Sequence, residues 1–372
     1  MNFAFTEEQG QLRDSLRRFL TETYTLERRR AITQAGGGCD AKIWRQFAEL
    51  GILGLAIPES LGGIGGDAFD AMVVMEELGR ALVLEPYLSS ALVSAGILVR
   101  SGGASHQQLL PAVAAGEIRL AFAHGERDSR WRLDAVTTRA VREADGWILD
   151  GHKAMVPDGA GAHYLVLSAR TASGISLFLL PGASERMTRT ALTTHDGSSV
   201  AEIKLDGVRA PPVALIGAEG GGLPLIEAAS DVGIAGLCAE AVGAMDALLA
   251  LTLDYVKTRR QFGVPIGSFQ ALQHRLADML LHTELARSMS YLASAKLAVS
   301  DTAERRRAIS AAKFLVGRAA RFVGQQAVQL HGGMGVSDEL ATSHYFKRLT
   351  LINASFGDMD HHLARFGSLM AA

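Results

Sequence analysis

Three long stretches of helical periodicity, near 224 to 258, 270 to 299 and 303 to 330, constrain this 372-residue chain more than any other feature. Apolar residues recur in each at intervals of three and four, so each carries an apolar stripe well beyond the about three to four turns of an average helix. One helix cannot bury such a stripe alone, and long neighbours usually pack as an antiparallel bundle. The first stretch is also the most apolar, but Glu240 and Asp246 break it between Ile234 and Leu253. A lipid-facing helix would not tolerate two carboxylates cheaply, so a buried core helix is expected and no membrane partner.

Between about 118 and 215 the period changes. Short β-rich runs such as His163 to Ser168 and Ile175 to Leu180 are bounded by Gly, Asp and Ser, which reads as a β domain closed by Pro211-Pro212. Asp145-Gly146, between Thr137 to Glu143 and Trp147 to Leu149, is predicted as a hairpin turn with positive φ at both positions. Upstream the pattern is helical again. Thr6-Glu7-Glu8-Gln9 forms a capping box ahead of a stripe of Leu12, Leu16, Phe19 and Leu20. Asp40 caps a second helix with Ile43, Phe47 and Leu50 inward and Gly51 at its end. Asp67 to Leu82 and Leu88 to Val99 repeat the pattern after a loop with Gly62, Gly63, Gly65 and Gly66. The expected organisation is a helical domain over 1–117, a β domain over 118–215 and a helical bundle over 216–372.

Composition closes off several function classes. Lys and Arg total 37 against 39 Asp and Glu, a net charge of −2, and no long basic run is present, so nucleic acid is not an expected partner. Only 9 prolines and 48% hydrophobic residues argue against long disordered stretches. The cysteines, Cys39 and Cys238, allow at most one bridge, and Cys238 falls in an apolar helical pattern where a buried thiol is ordinary. The N-terminal stretch lacks the basic and apolar regions of a secretory signal, which with the cysteine usage points to a reducing cytoplasm.

Two segments between the long helices hold more chemistry than a connection needs. Tyr255 to Gln270 includes Arg259, Gln261, Phe262, Gly263, Phe269 and Gln270. The bland account is that Gly263 and Pro265 punctuate helices, while Arg259 and Arg260 complement a helix dipole. The sharper account is a phosphate site, in which Arg259 makes charge-assisted bonds beside flat apolar walls from Phe262 and Phe269. The second segment runs from Gln329 through Leu330, His331, Gly332 and Gly333 to Val336. It serves as a helix C-cap, but its glycines exceed the needs of one cap and also permit close backbone approach to a ligand. His331 has no metal-ligand spacing around it.

Arg259-x-x-Phe262-Gly263, Phe269-Gln270 and Gln329-Leu-His-Gly-Gly333, in this order and separation, resemble the acyl-CoA dehydrogenases, a family of FAD flavoproteins, and the likeness extends over essentially the whole chain. The resemblance implies a mainly α fold with a helical N-terminal domain, a β-barrel middle domain and a C-terminal four-helix bundle. It implies that Arg259, Gln261, Phe262, Phe269, Gln270 and the turn of Gln329, Leu330, His331, Gly332 and Gly333 hold the ADP half of FAD in a neighbouring subunit. An oligomer, an acyl-CoA substrate and an electron-transfer flavoprotein as acceptor follow from the same likeness.

Family members remove an α-proton with a glutamate while a β-hydride passes to the flavin, and that step needs a positioned base. The usual glutamate of a Tyr-Glu-Gly-Thr motif falls on Phe356, and the alternative position on the first bundle helix falls on Gly233. The flavin-ring segments depart as well. Gly125 to Trp131 keeps Glu126 but lacks the family's threonine and glycines, and Met155-Val156-Pro157 stands where Trp-Ile-Thr is usual. Proline offers no N–H. An intact ADP clamp beside a degraded ring pocket resembles the small subunit of heteromeric dehydrogenases of pimeloyl-CoA or steroid-side-chain type, in which a homologous partner would carry the catalytic glutamate. Asp231 matches a position where relatives touch coenzyme A, and Glu227, Glu240, Asp358 and Asp360 are further substitute carboxylates. Paired or solvated roles are expected for Glu240 and Asp246, and a helix start for Asp358 and Asp360. The alternatives are a homo-oligomer using a displaced carboxylate, a flavin monooxygenase on the same fold and a non-catalytic stabilising chain.

Overall fold

The computed structural model describes residues 5–36 and 38–371. Helices α1 (Glu7–Thr23), α2 (Leu26–Gln34), α3 (Ala41–Glu49) and α4 (Ala68–Arg80) lead to a π-helical segment over Tyr87–Ser94, which runs into α5 (Ala95–Ser101), α6 (Ala104–Gln107) and α7 (Leu110–Ala114). Strands β1 (Leu120–Ala123), β2 (Arg139–Glu143), β3 (Gly146–Pro157), β4 (Tyr164–Thr171), β5 (Gly174–Pro181), β6 (Met187–Thr193), β7 (Ser199–Ala210) and β8 (Leu215–Ile216) follow. Then come α8 (Gly222–Thr258), the short strands β9 (Arg260–Gln261) and β10 (Val264–Pro265), α9 (Gln270–Lys296), α10 (Thr302–His331), α11 (Ala341–Ala354) and α12 (Met359–Ala371). A helical front, a central sheet and C-terminal helices thus succeed one another, and the three longest helices coincide with the three periodic stretches to within a few residues.

Contacts divide the chain into two compact units, one of residues 1–29, 68–83 and 234–372, the other of 30–67 and 84–233. In the first, α1 carries its capping box, with Thr6 and Gln9 each accepting from the other's backbone N–H, and turns Leu16 and Leu20 inward. Helices α4 and α8 cross at glycines. A Cβ on Gly79 would overlap the Glu240 carbonyl, and one on Gly243 the Glu76 carbonyl, so no side chain separates the two backbones there. By length and composition α8 could cross a membrane, yet 78% of its most apolar window is buried. Its carboxylates are engaged as expected: Glu240 receives Arg348 at 2.5 and 2.8 Å, and Asp246 receives Arg287 at 2.7 Å and Arg80 at 2.9 Å. Cys238 is fully buried on the same helix, which pushes its thiol up to about 12.

In the second unit, the described strands pair in the order β6-β7-β3-β2-β4-β5-β8, with β1 added in parallel to β4. Trp147, Leu149, Leu167, Phe178, Ile203 and Val208 form the centre of its core, with the Trp147 and Phe178 rings edge to face at 5.3 Å. The hairpin predicted at Asp145-Gly146 exists, shifted by one residue. Glu143 pairs with Gly146, so the turn residues are Ala144 and Asp145, neither with positive φ. Gly146 instead opens β3, where a Cβ would overlap the Ala210 carbonyl. Two further expectations are corrected. Asp40 does cap α3, accepting from the N–H groups of Lys42 and Ile43, but this is the third helix, because the polar sequence of α2 hides its periodicity. Leu50 is 38% exposed rather than inward, since Gly51 turns the chain with φ 77° and delivers Ile52 and Leu53 to the core in its place.

Candidate functional site

Helix α8 stops at Thr258 and the chain reverses through a two-residue loop, Phe262-Gly263, between β9 and β10. Both have positive φ, 53° and 80°, the combination that matches the twist of a tight hairpin. Glycine adopts it freely, whereas phenylalanine is held there against its preference. The Phe262 ring is consequently 91% exposed at the hairpin tip, edge-on to Phe269 at 6.1 Å. Gln261 is tied back to the Arg260 carbonyl at 2.8 Å. Arg259 is fixed through its backbone, donating to Tyr255 and accepting from Ile266 at 2.8 Å each. Its exposed guanidinium makes no hydrogen bond or ion pair among the described residues, and neither do the exposed side chains of Gln270 and Gln329.

The hairpin is joined to the end of α10 by Tyr255, which stacks on His331 at 4.3 Å and donates to its carbonyl at 3.3 Å. Leu330 and His331 are each 6% exposed, so their side chains face inward and only backbone is left to offer a ligand. The His331 ring bonds the Ala327 carbonyl at 2.9 Å and the Thr342 hydroxyl at 3.3 Å, and burial lowers its pKa against the pull of the Ala327 bond. Gly332, with φ 63°, and Gly333 have no atom within 4 Å of where a Cβ would stand, which leaves their backbone open to close approach. Sequence pattern finds Arg259, Gln270 and the glycine turn; it does not reveal that Tyr255 and His331 hold them together. No group of three or more metal-ligating side chains occurs among the described residues.

The Ser355–Asp358 loop connects α11 to α12. Phe356 is half-buried with φ 55°, and its carbonyl accepts from His362 Nε2 at 2.9 Å. Lys313 of α10 is fully buried and donates its ammonium to the carbonyls of Ile352, Asn353 and Gly357 at 2.7, 2.9 and 3.0 Å. Burial lowers the lysine to about 8 and His362 to about 3. Asp358 accepts from the His361 N–H at 2.8 Å, and Asp360 lies in the first turn of α12, as a helix start requires. Asp231 and Gly233 are buried on α8, the aspartate at 1% exposure.

In the sheet unit, Glu126 is 8% exposed and ringed by donors. It accepts from the N–H groups of Thr137 and Thr138 at 2.7 and 3.1 Å, from both threonine hydroxyls, and from Lys153 at 2.7 Å. Burial alone would raise its pKa, but Lys153 and these donors hold it down to about 2. So committed, Glu126 ties the 125–131 segment to the strands and is not free to move a proton. Further along β3 the pairing bulges between Lys153 and Val156, Met155 adopts φ 52°, and Pro157 ends the strand without a donor.

Family models for the acyl-CoA dehydrogenase N-terminal domain and C-terminal domain match residues 6–117 and 220–365. The probable acyl-CoA dehydrogenase YngJ of Bacillus subtilis is 30% identical over 371 residues, covering 96% of each chain. The chain belongs to the acyl-CoA dehydrogenase family. Acyl-CoA dehydrogenases are FAD-dependent oxidoreductases. FadE27 of Mycobacterium tuberculosis, another acyl-CoA dehydrogenase, is 28% identical over 379 residues, covering 100% of this chain and 99% of its own. Among solved structures, the Tcur3481-Tcur3483 steroid ACAD matches at 32% identity and TM-score 0.89 over 98% of both chains. The ChsE4-ChsE5 complex from Mycobacterium tuberculosis matches at 27% identity and TM-score 0.90 over 100% and 99%. The uncommitted Arg259, Gln270 and Gln329 and the open Gly332-Gly333 backbone suit the diphosphate half of FAD. Pro157, in the segment that the family resemblance assigns to the flavin ring, has no N–H to offer.

Proposed function

We propose that this acyl-CoA dehydrogenase is the base-lacking subunit of a heteromer, clamping the ADP half of an FAD whose ring is held by a homologous chain that carries the catalytic glutamate. The observation that supports it is a contrast within one unit. Arg259, Gln270 and Gln329 stand exposed and uncommitted, while a half-buried phenylalanine fills the base position in a loop tied down by Lys313 and His362. Two of the candidate substitutes have other employment, since Glu240 pairs with Arg348 and Asp358 caps α12. That weighs against a homo-oligomer with a displaced base. Leu280, Leu281 and Leu285 on α9 are 50%, 57% and 47% exposed, an apolar face suited to burial by a partner chain. Two of the similar structures carry names that pair two chains, one of them a steroid ACAD, which favours a bulky acyl thioester as substrate. Electrons would then pass to an electron-transfer flavoprotein, in the cytoplasm.

The test is co-expression with a homologous chain that retains the Tyr-Glu-Gly-Thr glutamate, followed by counting FAD per pair and watching anaerobic flavin bleaching with acyl thioesters. The complex should bleach and should stop doing so when the partner's glutamate becomes glutamine. Rapid bleaching by the isolated, FAD-loaded chain would sink the proposal, and oxygen-dependent product formation by it would favour a monooxygenase.

A further inference from the structure

The first unit holds a half-open cavity of about 270 Å³ among α1, α2, α4, α8 and α11, none of whose lining residues belongs to the Arg259 hairpin, the Gly332 turn or the Phe356 loop. Its charged lining is three arginines, Arg17, Arg29 and Arg80, and one carboxylate, Glu77. Glu77 is 1% exposed and gives its two oxygens to Arg17 at 2.9 and 2.5 Å, with Arg80 at 3.8 Å. Arg29 is only 3% exposed, and its plane is fixed by the Leu82 carbonyl at 2.9 Å and His344 Nδ1 at 3.3 Å. Leu82 presents that carbonyl from a left-handed conformation, φ 54°, which a leucine adopts only under constraint. A guanidinium carries five donors in a planar fork, so the bonds that Arg17 and Arg80 make to carboxylates orient them without exhausting them.

The rest of the wall is largely apolar, including Leu20, Leu251 and the ring of Tyr345, whose hydroxyl is already given to the Arg80 carbonyl. Positive forks beside hydrocarbon suit a ligand with a two-oxygen anionic head and an apolar body. Inorganic phosphate would leave the apolar wall against water, and a whole coenzyme A ester exceeds the space. We propose that this cavity binds a small amphipathic monocarboxylate, its head received by the arginine forks and its hydrocarbon body by the leucine and tyrosine side chains. Such a ligand touches α1, α2, α4, α8 and α11 at once and stabilises their packing by mass action.

The test is calorimetric titration of the purified, FAD-loaded protein with hexanoate, hexanol and inorganic phosphate, paired with thermal melts. Hexanoate should bind saturably with Kd at or below about 1 mM and raise the melting point, while hexanol and phosphate do neither. Leu251→Trp, which fills the space from a residue 39% exposed and leaves every charge in place, should abolish the binding. Arg17→Gln should weaken it at least tenfold. Absence of saturable binding, equal binding of hexanol, or hexanoate affinity unchanged by Leu251→Trp would overturn the assignment, the last because it would put the ligand elsewhere on the protein.

Discussion

Arg259 keeps a charge in water at the end of a long helix and bonds none of the described residues with it. Removing that charge should therefore cost the fold little and the cofactor much. Arg259→Gln is expected to weaken FAD binding in the assembled enzyme by about 2 kcal/mol, roughly 30-fold in Kd, with an unchanged urea midpoint for the chain alone; fluorescence titration and denaturation read the two separately. Glu126 is the opposite kind of residue. Its carboxyl is held at about 2 in the folded protein against the ordinary 4.5, so it contributes stability above about pH 4.5 that is lost as pH falls toward 2. Glu126→Gln should lower the urea midpoint at pH 7 and flatten its decline between pH 5 and pH 3. Sequence singles out Arg259 by residue type and position, and Gln270 and Gln329 only through the family resemblance. Lys313 stays hidden, since its three carbonyl partners lie 39 to 44 residues further along the chain and no local signal marks a buried lysine in a helical stripe.

At the scale of elements, the long helices are legible because length multiplies a periodic signal, and β4 and β5 because turn residues bound their β-rich runs, whereas the polar α2 is not. The Asp145-Gly146 pattern misplaces the turn by one residue, because Gly146 serves not the turn but the passage of β3 past the Ala210 carbonyl. The tight hairpin with two positive-φ residues is Phe262-Gly263, which turn statistics would pass over because phenylalanine is a poor choice there. The crossing of α4 and α8 was equally invisible. Alanine in place of Gly243 would gain about 1 kcal/mol of helix propensity, but its Cβ would press on a backbone oxygen that cannot rotate away, and overpacking costs about 1–3 kcal/mol or more. Gly243→Ala should therefore be less stable by about 2 kcal/mol, measured by chemical denaturation; a neutral or stabilised variant would mean that the helices can part at no cost.

For the molecule as a whole, the sequence foretold a helical front, a central sheet and C-terminal helices, but not that the contacts of the first 117 residues are shared between two compact units. Sequence order cannot express such sharing, because the helices of residues 1–29 and 68–83 pack with residues more than 150 positions away. Assembly belongs at this scale too. Leu281→Glu places a charge in the middle of the exposed leucines of α9 and should block co-purification with a partner chain while the melting point of the chain alone stays within about 2 °C, as expected for an exposed site.

Phe262 has a cost to the isolated chain, since a phenylalanine at φ 53° and 91% exposure is strained and solvated together. Phe262→Asn fits the same turn better and should raise the stability of the lone chain by about 1 kcal/mol in denaturant melts. A breeder who selected this protein for heat resistance by itself would thus discard the hairpin ring early, and the survivors would look improved until asked to work in company.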